Sequence, residues 1–239
     1  MEVIFPDWSG PHPALPDPRP TILVPFPRPL PDLAPAQRVV LDSGAFGRSF
    51  QPATERQPLA EWFVTLATWY RAAMHHYGDR LRWCVAPDVF GDPRATLAQY
   101  AQWRADYADI PVAPVIQLWP NKPFDLMTIQ RQSRTYGQQP HIMLSNPAKM
   151  TAARWGATLT DACAVIRHHA GAGCHIHLLG AGWSPDDVLL YRRVIGLSSI
   201  DSITYYLAAQ RGERWCRCCT SETAWQIAAG HHATVLLSR

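Results

Sequence analysis

From residue 38 onward, short apolar runs alternate with longer stretches whose apolar residues recur every three or four positions. "RVVLDSG", "LRWCVAPD", "IPVAPVIQ", "HIMLSN", "CHIHLLG" and "SIDSITYY" are compact apolar runs bounded by polar or turn-forming residues, the signature of short strands. "ATVLL" near the end of the chain is a further strand candidate. Between them, "PLAEWFVTLATWYRAAMHHYG" places Leu59, Phe63, Leu66, Tyr70, Ala73 and Tyr77 on one helical face, with Gly78 as its stop. "DPRATLAQYAQWRADY" predicts a helix capped by Asp92 with Pro93 in its first position. "TLTDACAVIRHHA" and "SPDDVLLYRRV" predict two more, the second capped by Ser184.

Proline changes the picture upstream. Half of the 22 prolines precede residue 36, so that stretch cannot be helical. It reads as an extended, polyproline-like segment wrapped on the body, interrupted by one strand, "TILVPF". Strands then alternate with helices, and each strand is uniformly apolar, as in a parallel sheet covered on both faces. "GAGCHI" precedes a strand instead of following one, so the glycine fingerprint of a dinucleotide fold is missing. Counting "TILVPF" and the last run gives about eight strands. The expected fold is α/β, a (β/α)8 TIM-type barrel.

Composition narrows the partners. The chain of 239 residues is 47% hydrophobic and 17% charged, which suits one large folded body. Its net charge of +3 permits a nucleic-acid partner without demanding one. No apolar run is long enough for a membrane span, and the N-terminus lacks a basic stretch followed by an apolar one, so a cytoplasmic protein is expected. Six cysteines are present, three of them in "CRCC", which suits an intracellular metal site better than a disulfide scaffold. Cys84, Cys163 and Cys174 fall in apolar surroundings and read as core.

The C-terminal strand ends, where barrels keep their chemistry, carry Asp42-Ser43-Gly44, Asp88, Gln117, Ser145-Asn146, Gly180 and Asp201-Ser202. Asp201 stands out because apolar residues flank it on both sides, and a buried acid is rarely idle. A carboxylate pair suits attack on an anomeric carbon by one member and proton transfer by the other. A further acid with a glutamine can read the edge of a purine. A glycoside hydrolase using the same two acids, or a non-catalytic nucleobase-binding protein, would draw on the same residues.

In order along the chain, these motifs resemble those of the tRNA-guanine transglycosylases and their DNA-modifying relatives of the DpdA type. "LDSGAF" resembles the family's LDSGG-aromatic motif, "VIQ" its IVQG strand, and "HIHLLGAG" its histidine-x-leucine-x-glycine-x-glycine stretch. "SIDSITYYLAAQRG" is similar to the segment carrying the nucleophilic aspartate, and "WCRCC" followed by "HH" to the zinc module after it. The resemblance implies that Asp201 is the nucleophile on C1′ of the target guanosine, forming a covalent ester as guanine leaves. It implies that Asp42 is the general acid/base that deprotonates an incoming 7-deazaguanine such as preQ0. Ser43, Asp88 and Gln117 would hold the purine edge, Gly44, Gly180 and Gly182 would leave room for it, and Phe46 or Tyr205 would stack on it. Ser145 and Asn146 stand where the family has glycines lining the base pocket, a departure that bears on which deazapurine is used.

The same resemblance implies a structural Zn2+ on Cys216, Cys218, Cys219 and His231, with His232 as a substitute ligand. The third cysteine comes one residue earlier than in the family. The expected organisation is a proline-rich segment (1–36), a catalytic barrel (37–210) and a zinc module with a closing helix and strand (211–239). The expected partners are DNA, favoured by the short chain, or tRNA, together with the free base, in a homodimer, with no membrane and in a phage or mobile-element setting. Arg48, Lys122, Arg131, Arg134, Lys149, Arg211, Arg214 and Arg217 are the cations available to phosphates.

Overall fold

The computed structural model describes residues 2–6, 21–33, 37–119, 121, 125–146, 152–180, 190–191 and 193–201. They form a mixed α/β structure in which every strand pairing is parallel. The strands are β1 (Glu2–Pro6), β2 (Thr21–Pro25), β3 (Arg38–Asp42), β4 (Leu81–Val85), β5 (Val112–Ala113), β6 (Val115–Ile116), β7 (His141–Leu144), β8 (His175–Leu178) and β9 (Ser199–Asp201). The helices are α1 (Ala45–Ser49), α2 (Leu59–Tyr77), α3 (Pro93–Asp106), α4 (Leu126–Tyr136) and α5 (Ala152–Ala170).

The hydrogen-bonded order is β5-β4-β3-β2-β1-β9-β8-β7-β6. Its two ends are neighbours in the chain, because only Pro114 separates β5 from β6. Proline has no N–H to give a ladder, so the run "VAPVI" splits there. On one side Ala86 N donates to Ala113 O, and on the other Met143 N donates to Pro114 O. The proline-rich segment supplies two strands, β1 and β2, both members of the sheet. The place between β2 and β9 belongs to β1, residues 2–6; the sequence reading had no strand there. "ATVLL" and most of "SPDDVLLYRRV" lie outside the described residues.

Helices cover one face of the sheet. The apolar stripe of α2 buries Phe63, Leu66, Ala67, Tyr70, Ala73 and Tyr77, and Gly78 ends the helix at a positive φ of 49°. Asp92 caps α3 by accepting from Arg94 N and Ala95 N, both at 3.0 Å. Two tyrosines tie helices to strands through their hydroxyls, Tyr70 donating to Val85 O at 2.6 Å and Tyr136 to Val115 O at 2.7 Å. Cys84, Cys163 and Cys174 are buried and unbonded to one another. Burial pushes the Cys163 thiol up to about 12, as suits core packing and not reactivity.

The other face packs against itself. Leu23, Val40, Trp83, Val85, Ala113, Val115 and Met143, drawn from β2 through β7, form one cluster. Trp83 of β4 lies across it on His141 of β7, with ring centroids 4.7 Å apart, and beside His175 of β8 at 5.0 Å.

Candidate active site

In a parallel sheet all C-terminal strand ends share one edge. Asp42 closes β3, Asp88 follows β4, Gln117 follows β6, Ser145 and Asn146 follow β7, Gly180 follows β8, and Asp201 closes β9.

Asp42 is held in an unusual state. Burial, then the Asp201 carboxylate, push its carboxyl from 3.8 up to about 6, against the Gly44 and Ser43 N–H groups and His177, which pull it down. Asp88 is pushed up to about 7, first by burial and then by the Asp42 charge, although the Gln117 amide pulls it back. These acids therefore form a coupled set, and two of them sit near neutrality, where a proton can be both given and taken.

Gln117 is oriented from both directions. Its Nε2 donates to Asp88 Oδ2 in a short contact, and its Oε1 accepts from Gly91 N at 3.2 Å. Its backbone is clamped by Gln132 of α4: Gln117 N donates to Gln132 Oε1 and Gln132 Nε2 donates to Gln117 O, both at 2.9 Å. Asp201 is 7% exposed, and its Oδ1 accepts from Gly180 N at 2.7 Å and pairs with His177 Nε2 at 3.1 Å. Gly180 takes a positive φ of 61°, and Asn146 Nδ2 donates to its carbonyl at 3.4 Å.

Two hydroxyls meet the backbone. Ser43 Oγ, fully buried, accepts from Ala45 N at 3.3 Å, and Ser145 Oγ accepts from Leu118 N at 2.9 Å. Gly44 is required for a separate reason. Its φ is +73°, and a Cβ there would stand 2.5 Å from the Phe26 carbonyl oxygen. Gly44→Ala is expected to lower the unfolding free energy by about 2–3 kcal/mol, read as a lower denaturant midpoint with an unchanged slope.

A few residues downstream of Asp42 and Asp88, Phe46, Phe50 and Phe90 form an aromatic group with centroids 4.8, 5.0 and 5.7 Å apart; Phe46 is 59% and Phe50 65% exposed. Arg48 lies over the Trp62 ring at 4.9 Å, and Arg131 and Arg134 are exposed on α4. Cys216, Cys218, Cys219, His231, His232, Gly182, Tyr205, Lys122, Lys149, Arg211, Arg214 and Arg217 lie outside the described residues. Among the described residues no group of three or more His, Cys, Asp or Glu is arranged to hold a metal ion, and no helix is long and apolar enough to cross a membrane.

The sequence reading passed over His177, Ser199 and Gln132. The signal for the first two was present: "HIH" on β8 and "SID" on β9 alternate polar and apolar, so their polar members share one face. No protein-family model matches this chain, and no curated protein matches it either.

Proposed function

We propose that the chain is a base-exchange transglycosylase that replaces guanine in a nucleic acid, DNA in the first instance and tRNA in the second, with a 7-deazaguanine. The observation that carries this reading is that Asp42 and Asp201, far apart in sequence, both close strands of one parallel sheet at its C-terminal edge, where the Asp201 charge helps to push the Asp42 carboxyl up. The Asp88–Gln117 pair beside them supplies both donors and acceptors for a purine edge. The architecture we propose is a (β/α)8 barrel. A parallel strand order whose two ends are joined through Pro114 supports it, as does an inner cluster that, among the described residues, is drawn from strands β2 to β7.

In this reading the Asp201 carboxylate attacks C1′, the C1′–N9 bond breaks, and the departing guanine takes a proton at N9 from Asp42. The incoming base then returns its N9 proton to the Asp42 carboxylate. Its N9 displaces Asp201 from C1′, and the ester opens. A group near pH 6 suits both halves of that exchange. Asp88, near 7, can meet the purine as donor or acceptor. Exposed Phe46 offers a stacking face.

The test is direct. Incubated with radiolabelled preQ0 and either duplex DNA or tRNA, the protein is expected to put label into one polymer and to release an equal amount of free guanine. Label in neither, across a pH series from about 5 to 8, would remove the reading.

A further inference from the structure

We propose that His175, Ser199 and His177 form a proton relay through the interior of the sheet that ends on Asp201, with His177 as a positioning residue. This goes beyond base exchange and rests on the interior geometry alone.

His177 and Ser199 are both fully buried. Ser199 Oγ lies 2.6 Å from His175 Nε2 and 2.8 Å from His177 Nδ1. The opposite nitrogen of His177, Nε2, lies 3.1 Å from Asp201 Oδ1. β8 and β9 hold these groups in register, His177 opposite Ser199. Trp83 packs against both histidine rings, at 5.0 Å from His175 and 6.3 Å from His177.

The chain of bonds has a direction that the atoms dictate. Ionised Asp201 can only accept, so His177 Nε2 carries hydrogen. Ser199 has a single hydrogen and two ring nitrogens to satisfy, so it donates to one histidine and accepts from the other. Two arrangements follow. In the first, His175 Nε2–H donates to Ser199, and Ser199 O–H donates to neutral His177 at Nδ1. In the second, the imidazolium of His177 donates from Nδ1 to Ser199, and Ser199 donates to His175. Passing from the second to the first breaks the His177 Nδ1–H bond and forms an O–H on Ser199. The original Ser199 O–H breaks and an Nε2–H forms on His175. One positive charge thus moves away from Asp201, from His177 across Ser199 to His175, with no atom displaced far. Because Oδ1 is already engaged by His177 and by Gly180 N, Oδ2 is the oxygen left to react.

Other charges bear on this line. Asp42 of β3 interacts electrostatically with His177 and Asp201. His141 of β7 reaches the group through Trp83, and Arg82 sits over the Trp83 ring at 4.8 Å. Met143, the register partner of His177 on β7, is apolar, and Glu2 of β1 is the register partner of Ser199.

The experiment is nitrogen-15 NMR of the full chain labelled on histidine, with no nucleic acid or base present, so that its outcome is separate from any outcome on base exchange. The expected wild-type result is His177 protonated on Nε2 near neutral pH, with the His175 and His177 rings both responding in each titration step, as two sites sharing one proton do. In Ser199→Ala each ring is expected to titrate alone, and Ser199→Thr, which keeps the hydroxyl, is expected to restore the shared response. Independent single-site curves for the two rings in the wild type would overturn the relay, as would curves that Ser199→Ala leaves unchanged. Should Ser199→Ala fail to fold, the wild-type curves and Ser199→Thr decide the matter by themselves.

Discussion

Asp201→Asn is expected to give a folded protein that exchanges base at least about 10³-fold more slowly and forms no adduct with nucleic acid on a denaturing gel. The substitution exchanges one oxygen for a nitrogen. The amide oxygen can still accept from Gly180 N and His177 Nε2, the contacts made now by Oδ1. The structural cost is therefore about 1 kcal/mol, within the range of one altered hydrogen bond. What disappears is the anionic oxygen that the proposed ester requires. Asp201→Ala is the harsher change, because it leaves the buried His177 donor without its acceptor. The informative comparison is the melting temperature of the asparagine variant against its rate. A variant that melts near the wild type and still exchanges base would remove Asp201 from the role of nucleophile.

The second large effect concerns stability and pH. Asp42 and Asp88 titrate near 6 and 7 in the folded chain, against 3.8 as the ordinary value. The native state therefore binds more protons than the unfolded chain between these values. Their contribution is fully present below the unfolded value and is lost as pH rises through the folded ones. The protein is expected to unfold more readily at about pH 8 than at about pH 5 on account of these two groups. Asp88→Asn, which stays neutral throughout, should be more stable than the wild type by about 1–3 kcal/mol at the higher pH, discounted for the solvent that reaches this edge, with the gain vanishing near pH 4. Urea unfolding of both proteins across that range measures it. Equal pH slopes for the two would show that Asp88 is ionised at no special cost. The gain in stability would come from the same group proposed to read the purine, a trade common at functional sites.

The strand ends were legible because in each strand the last apolar residue of the run is followed by a polar or turn-forming one that marks the exit. That rule alone placed Asp42, Asp88, Gln117 and Asp201 on one edge. Asp201 could be singled out because an acid between Ile200 and Ile203 contradicts its surroundings. Four features were not legible. "EVIFP" is absorbed into the proline-rich stretch that follows it, and β1 is defined by its neighbours β2 and β9. The run "LMTIQRQSRTY" looks polar, yet it forms α4, because two of its buried positions are Gln132 and Ser133. Gln132 is satisfied by the backbone of Gln117, and Ser133 Oγ donates to Ile129 O at 2.8 Å, so polar residues fill the inner face of that helix at little cost. The proline inside "IPVAPVIQ" reads as a turn or an edge, and only the pairing on either side reveals one run serving two neighbours. The roles of His177 and Ser199 depend on the register of β8 against β9, which no single strand encodes.

Pro114 has one more consequence. The outer packing gathers into two bodies that share Tyr100 of α3: one built on β2 to β5 with α2 and α3, the other on β6 to β9 with α4 and α5. They meet at the hand-over at Pro114, at the pairing of β1 with β9, at Leu97 and Tyr100 of α3, which pack on the second body, and through the inner cluster, whose Trp83 lies on His141. Asp42 and Asp88 ride on the first body and Asp201 on the second. The spacing of these acids is therefore set by packing that crosses from one body to the other, Trp83 on His141 and Tyr100 on Tyr136, as much as by strand pairing.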